Sequence, residues 1–296
     1  MNNLKNFLKR KIKQYTFIWK LVVVFKQSFY RFYSFILEIR LMLNTWRYEF
    51  NYWIQVLLFA HRRRLKVEVC QSKLVSIIVP VVGENNLSNS QQKYYFSGLK
   101  KLLYKYLPNQ TYKNYEVIVY CDGPNKKVQY LCNSLNDPRI KVYALEKETN
   151  LFGHPQTRRG IMVAHGDFFV RMNCDNIPFS EYLETLLAGF KKDIGIVYAR
   201  VIFKGKAREF HKRNFIGNKF MGVPNDLKAF ILPRDKHGIL KCTNIDCMNY
   251  MVRMDLAKKY VDRWSNDFSA DWDFIEALLQ DGVKFKFVDK LIGYKR

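Results

Sequence analysis

Acidic residues are scarce in this sequence, Gly and Pro are few, and no apolar run is long. Against 50 Lys and Arg stand only 26 Asp and Glu in 296 residues, a formal charge of +24. Such a surplus requires an anionic partner or surface. Fourteen Gly and eight Pro exclude low-complexity and collagen-like sequence. The apolar stretches Tyr15–Phe25, interrupted by Lys20, and Phe50–Ala60 fall short of the ~18–20 residues of a membrane-crossing helix. No small-residue cleavage site follows Leu21–Phe25, so a secretory leader is not expected. Cys70, Cys121, Cys132, Cys174, Cys242 and Cys247 form no C-x-x-C pair and have no His at finger spacing. Reduced thiols are expected rather than a zinc site or a disulfide framework.

What is present is ordinary for a globular chain. Apolar residues make up 48% and charged residues 26%, which excludes a mainly disordered protein. The length suits one large domain or two modest ones. Charge is uneven, however. Residues 1–66 carry 14 Lys and Arg against Glu38 and Glu49, and 16 of the 47 aromatics. Without Pro or Gly, this stretch predicts one or two basic amphipathic helices. Its aromatics suit the headgroup layer, its cations suit anionic lipid, and Arg62, Arg63 and Arg64 follow an apolar end as at a cytoplasmic membrane face. Region 1–69 is therefore expected to hold the protein peripherally on the inner face of the cell membrane. Packing of the same helices on the catalytic body or on a second subunit is the alternative. No recognition motif accompanies the charge, so nucleic acid is not an expected partner.

Residues 70–296 read as a second region, an α/β domain. Strands are predicted at Leu74–Val82, Tyr115–Tyr120, Ile140–Leu145, Asp167–Met172 and Ile194–Phe203, and helices at Tyr94–Leu107, Val128–Leu135, Gln156–His165, Ser180–Phe190 and Trp272–Gln280. The alternation implies a sheet with a largely parallel core. Ligands of such sheets bind beyond the carboxyl ends of the strands. Asp122 follows the second strand and Asp175 the fourth.

Residues 73–296 resemble glycosyltransferase family 2. Ser76-Ile77-Ile78-Val79-Pro80 is similar to its opening strand, and Gln110–Val119 (QTYKNYEVIV) to its "QTYKNYEIIV" signature. Asp122-Gly123 stands at its "DDG", Gly160–Asp167 at its "GIxxAxGD", and Asn173-Cys174-Asp175-Asn176 at its D-x-D position. Ala270-Asp271-Trp272-Asp273 fits its "ED" region, and Gly282-Val283-Lys284 the segment before its last strand. The resemblance implies the GT-A fold, a Rossmann-like nucleotide-binding mixed sheet flanked by helices. It also implies a nucleotide-sugar donor, a divalent metal and inversion at the anomeric carbon.

Roles follow from that resemblance. Asp175 would hold Mn²⁺ or Mg²⁺, which can bind through one carboxylate and several waters. Its alternative, capping the following helix, is weakened because Ser180 is the better cap. Asn173 and Cys174 stand where the family often has acids, within the donor site; Cys174 suits packing better than a hard cation. Pro80 also lies on the donor side. Asp122 would read the base through its N3–H, which favours UDP, and capping of the Asp-Gly turn competes with that role. Arg158 and Arg159, at the start of the predicted helix, suit the diphosphate, with one of them facing solvent. His154 contacts the same phosphates or stabilises its loop. Asp271 would be the general base that deprotonates the acceptor hydroxyl; its alternatives are helix capping and Asp273 as the base, although Asp273 suits support of the helix dipole better. Asp246 faces the acceptor sugar or caps a turn. The basic loop Lys204–Lys241 is a flap or a surface excursion.

The expected activity is glycosyl transfer to a glycan or lipid-linked saccharide in cell-surface polysaccharide, lipopolysaccharide or glycan synthesis. The alternatives are a glycosyltransferase-like binding or scaffold protein without turnover and, less favoured, a basic nucleic-acid-binding protein. Val81–Asn86 lacks the Gly-rich basic loop of a nucleotidyltransferase.

Overall fold

The β-branched run VSIIVPV forms strand β1 (Val75–Val81), and all seven of its residues are buried. The computed structural model describes residues 72–83, 85, 87–204, 229–232, 245–267 and 269–295. The expected N-terminal helical region 1–69 and most of the loop 204–241 lie outside the described residues.

β1 lies parallel to and between β2 (Tyr115–Cys121) and β4 (Phe168–Arg171), and β3 (Ile140–Ala144) extends the parallel set beyond β2. Pro80 is tolerated in so central a strand because the ladder to β4 ends at Ile78, opposite Arg171. The missing N–H therefore breaks no pairing there. Beyond β4 the sheet becomes mixed. β8 (Tyr250–Arg253) runs antiparallel to β4 and to β6 (Ile194–Lys204). β9 (Lys284–Lys295) runs parallel to β6, and β5 (Ile177–Pro178) pairs antiparallel with β9. β7 (Ala229–Leu232) joins the later residues of β6. Among the described residues these form one nine-stranded sheet. The predicted parallel core thus describes the β3-β2-β1-β4 half only.

Local capping explains where the helices depart from prediction. α1 (Asn89–Lys101) begins five residues earlier than expected because Ser88 and Gln91 form a capping box. It passes into one π turn at Leu102–Tyr106. α2 (Lys126–Ser134) is capped by the Asn125 side chain. α3 (His154–Val163) starts after the left-handed Gly153, with Pro in its first turn. α4 (Tyr182–Leu187) is not capped by Ser180. Glu181 holds that position without a side-chain bond, and the Ser180 carbonyl accepts from the Thr111 N–H. α5 (Met254–Lys259) and α6 (Ala270–Gln280) complete the set.

The core beneath α6 is aromatic. Trp264, Phe169 and Phe274 are fully buried and meet edge-on or tilted. Truncating one such ring typically costs about 3–5 kcal/mol, so the helix carrying Asp271 has a stiff base.

Candidate active site

Strands β1, β2, β4 and β9 end on one rim of the sheet. Because β8 is reversed, its beginning lies on that same rim. The topology therefore gathers Pro80, Asp122, the turn carrying Asp175, the turn carrying Asp246, and Lys295.

Asp122 is almost fully buried. Its Oδ1 accepts from the Thr149 N–H at 2.8 Å and the Thr149 hydroxyl at 2.9 Å, and its Oδ2 from the Asn150 N–H at 2.8 Å. These bonds tie the loop after β3 to the end of β2. Glu148 in that loop lies over Gly83 and Gly123; a Cβ on either would come within 2.4 or 2.7 Å of its side chain. Asn150 and Phe152 are left-handed, with φ of 55° and 53°. That conformation is costly for a bulky residue and persists only where neighbours impose it. The Asp122 bonds do so from one side. From the other, the Arg171 guanidinium donates to the Phe152 carbonyl at 2.7 Å.

Gly153, next in the chain, packs against Pro80 and Arg171. His154 then points into the core, where its Nδ1 accepts from the Trp264 indole. Burial, with the Arg171 and Arg158 charges, pushes its pKa down to about 3. Arg171 itself is buried and lies over the Trp264 ring, 5.8 Å from its centroid. The His154 Nε2, the Arg171 Nε and both polar atoms of the Gln156 amide are buried without a hydrogen-bond partner among the described residues. Buried orphans of this kind mark a place where a polar ligand or water belongs. Because α3 starts at His154, Arg158 and Arg159 fall in its second turn rather than at its start. Arg158 donates to the Trp264 carbonyl at 2.6 Å and to Asn266 at 2.8 Å. Arg159 is exposed.

The turn after β4 places Asn173, Cys174 and Asp175. The Asn173 N–H donates to the Asn176 side chain. Cys174 is buried, which pushes its thiol well up. Its carbonyl lies where a Cβ on Gly98 would approach to 2.7 Å. Asp175 is half-buried, and Tyr94 donates to it at 3.5 Å. It borders a pocket of about 120 Å³ shared with Tyr94, Ser97, Lys101 and Tyr106. Burial raises its carboxyl pKa, and Lys295 opposes the rise. A partly desolvated carboxylate at the rim fits a single inner ligand of a hard, water-rich divalent cation.

Asp246 and Asp271 come together although 25 residues separate them in sequence. Ligand atoms of Asp246, Cys247 and Asp271 all lie within 4.8 Å of one another. This donor set does not fit Mn²⁺ or Mg²⁺. The Cys247 thiol is pushed up to about 12 by burial, and the Lys295 ammonium is already paired with Asp246. Burial first, then the Asp246 charge, raises the Asp271 carboxyl to about 6 against the opposing effect of Arg171 and Lys295. That places a proton acceptor near neutrality, as general-base work needs. Asp273 faces elsewhere and accepts from the Ser265 and Ser269 hydroxyls. Asp246 Oδ1 accepts from the Met248 N–H at 3.0 Å, closing its own turn.

Sequence reading missed Arg171 and Lys295. A lone Arg inside the apolar strand FFVR was the available signal, since a buried strand position tolerates a cation only with partners. Lys295 carried no such mark among the many lysines of β9.

The profile of "Glycosyl transferase family 2" matches residues 76–258. The chain is 29% identical over 118 residues to "Glycosyltransferase GlyG" of Streptococcus pneumoniae, which covers 39% of this chain and 34% of that protein. Among solved structures, S. aureus TarS (residues 1–349) is similar with a TM-score of 0.50 and 17% identity, over 74% of this chain and 59% of that one. The mannosyltransferase PcManGT from Pyrobaculum calidifontis, in complex with GDP-Man and Mn²⁺, has a TM-score of 0.49 and 12% identity, over 87% of this chain and 67% of that one. The match thus spans about a third of the curated relative and less than two thirds of TarS. The fold is of the GT-A type.

Proposed function

Because this chain belongs to glycosyl transferase family 2, we propose that it moves a sugar from a nucleoside diphosphate, UDP by preference, to an acceptor hydroxyl with inversion. The observation that carries the reading is Asp271, a half-buried carboxyl held at about 6 on the same rim as Asp175 and the orphaned polar atoms of His154 and Arg171. Asp271 takes the acceptor proton as the hydroxyl attacks. Its elevated pKa makes it a stronger base than a solvated aspartate, yet leaves it ionised at pH 7. The His154 Nε2–H and the Arg171 Nε–H, buried donors with no partner among the described residues, support a polar ligand such as the diphosphate at this end of the sheet. Asp175 would hold Mn²⁺ or Mg²⁺, and a cation bound there neutralises charge on the departing diphosphate. Asp122 fixes the loop over the nucleotide, and Asp246 faces the acceptor.

We assign residues 1–69 to an anionic membrane surface on the cytoplasmic side, with a lipid-linked saccharide as acceptor. Their charge and aromatics support this. Flotation of the full chain with anionic vesicles, lost in R62E/R63E/R64E, tests it; equal flotation of that variant refutes it. A binding protein without turnover is the rival reading, favoured by Asn173 and Cys174 standing where acids are usual. The central test is a panel of UDP-, GDP- and dTDP-sugars read by thermal shift and donor hydrolysis, with and without Mn²⁺. UDP-sugars should stabilise the protein and be turned over. If no donor does either, the proposal falls.

A further inference from the structure

Lys295 lies outside every motif noted in the sequence, yet it reaches the middle of the acidic cluster. The parallel register of β9 on β6, with Phe203 opposite Lys295, delivers it to the rim. Its Nζ stands 5.4 Å over the Phe203 ring and pairs with Asp246 Oδ2, in a contact where the two side chains are 14% and 7% exposed. The Asp271 carboxylate lies within 4.8 Å of that same Asp246 and of Cys247. Two carboxylates so close and largely withdrawn from water cannot both ionise freely without a counter-charge.

We infer that Lys295 is the resident cation of the acceptor half of the site: it neutralises Asp246, so that Asp271 alone carries the working negative charge, and it takes the place a divalent ion would otherwise fill. Lys295 is thus a positioning residue; its catalytic consequence rests on Asp271 being the base.

The groups facing Asp271 can be named element by element. Asp246 and Cys247 come from the turn before β8, Tyr250 from β8, Arg171 from β4 and Lys295 from β9. The Tyr250 and Cys247 protons are held firmly by burial, so neither group supplies charge near neutrality. Arg171 keeps its charge and also favours ionised Asp271, but its guanidinium is held at the Phe152 carbonyl and over the Trp264 ring. Lys295 is the cation paired directly with Asp246. Its own pKa is raised by the Asp246 charge, against burial, so it stays protonated across the working range.

The test uses the full chain and two readouts. Carboxyl ¹³C NMR of Asp-labelled protein follows Asp271 directly, and the pH profile of transfer follows its consequence. In K295M, Asp271 should bind its proton about tenfold more tightly, a shift of about one pH unit upward. The acid limb of the rate should move with it, so that activity lost at pH 6.5 returns toward pH 9. K295R should keep both near wild type. A K295M variant that is folded yet leaves Asp271 unmoved, or that loses rate equally at every pH, overturns the inference. If K295M does not fold, K295Q decides: it keeps a hydrogen bond to Asp246 without the charge, and Asp271 should again titrate higher than in the wild type. An unchanged titration there overturns the inference as well. The NMR needs no turnover, so failure to transfer from any donor defeats the proposed function without deciding the role of Lys295.

Discussion

The indole N–H of Trp264 donates to Nδ1 of His154 at 3.0 Å, across 110 residues of sequence. An indole can only donate, so Nδ1 must carry a lone pair and the imidazole proton must sit on Nε2. His154 is therefore fixed as a neutral donor, and burial with two nearby guanidinium groups keeps it so, with a pKa of about 3. Its imidazole NMR signals should show no protonation step between pH 5 and 8. In the unfolded chain the same His titrates near 6.5. The stability it contributes is thus full above about pH 6.5 and is lost as the pH falls toward 3. Denaturant melts at pH 7 and pH 5 should differ by about 2 kcal/mol on this account, and H154Q should remove most of that difference.

Asp271 has the opposite sign. Its folded carboxyl is held at about 6 against 3.8, so folding favours the protonated form. Stability is lost as the pH rises from about 4 through 6. D271N should therefore be more stable than wild type at pH 8, by about 3 kcal/mol, and not at pH 3.5. Transfer should fall by about 10²–10⁴, the usual worth of a positioned base, while donor affinity in a thermal-shift assay stays within a factor of a few. A variant that loses donor binding together with rate would remove Asp271 from the acceptor side.

Asp122 predicts a loop effect. D122A deletes three hydrogen bonds to Thr149 and Asn150 and frees two left-handed residues to relax. Stability should drop by about 3 kcal/mol, and nucleotide affinity should fall along with it. Limited proteolysis should cut first within residues 145–153. Unchanged cutting there would show the loop to be held by other contacts.

Asp175 predicts the metal dependence. D175N should weaken Mn²⁺ binding by calorimetry at least about tenfold, the usual scale for loss of a metal-site interaction, whereas D246N should leave it in place. Because burial raises the Asp175 carboxyl, Mn²⁺ affinity of the wild type should decline on acidification at a higher pH than a solvated aspartate would give. A chelator should depress turnover in the wild type and change nothing further in D175N.

Much of the parallel half of the sheet was legible in the sequence. VSIIVPV and YEVIVYC announce buried strands by their β-branched runs, and a carboxylate just beyond such a strand lies on the rim by topology alone. Asp246 and Asp271 were each picked out from the resemblance, although no spacing reveals that they meet. Their meeting depends on β8 running backward between β4 and β6, a pairing that the sequence does not encode locally. Lys295 was illegible for the same reason, and Arg171 showed only as a lone cation in an apolar strand: their value lies in partners some 20 to 100 residues away. The errors at helix starts were local and avoidable. Ser88-x-x-Gln91 is a capping box in plain view, and Gly153-His154-Pro155 marks a helix start two residues before the one predicted.

The backward strand has an evolutionary corollary. The turn that carries Asp246, residues 245–249, leads directly into β8. It pairs with no rung of the parallel ladder of β1, β2 and β4. On the proposed function, descendants of this chain can change which alcohol they accept by substitutions in that one turn, while inheriting the parallel strands unaltered.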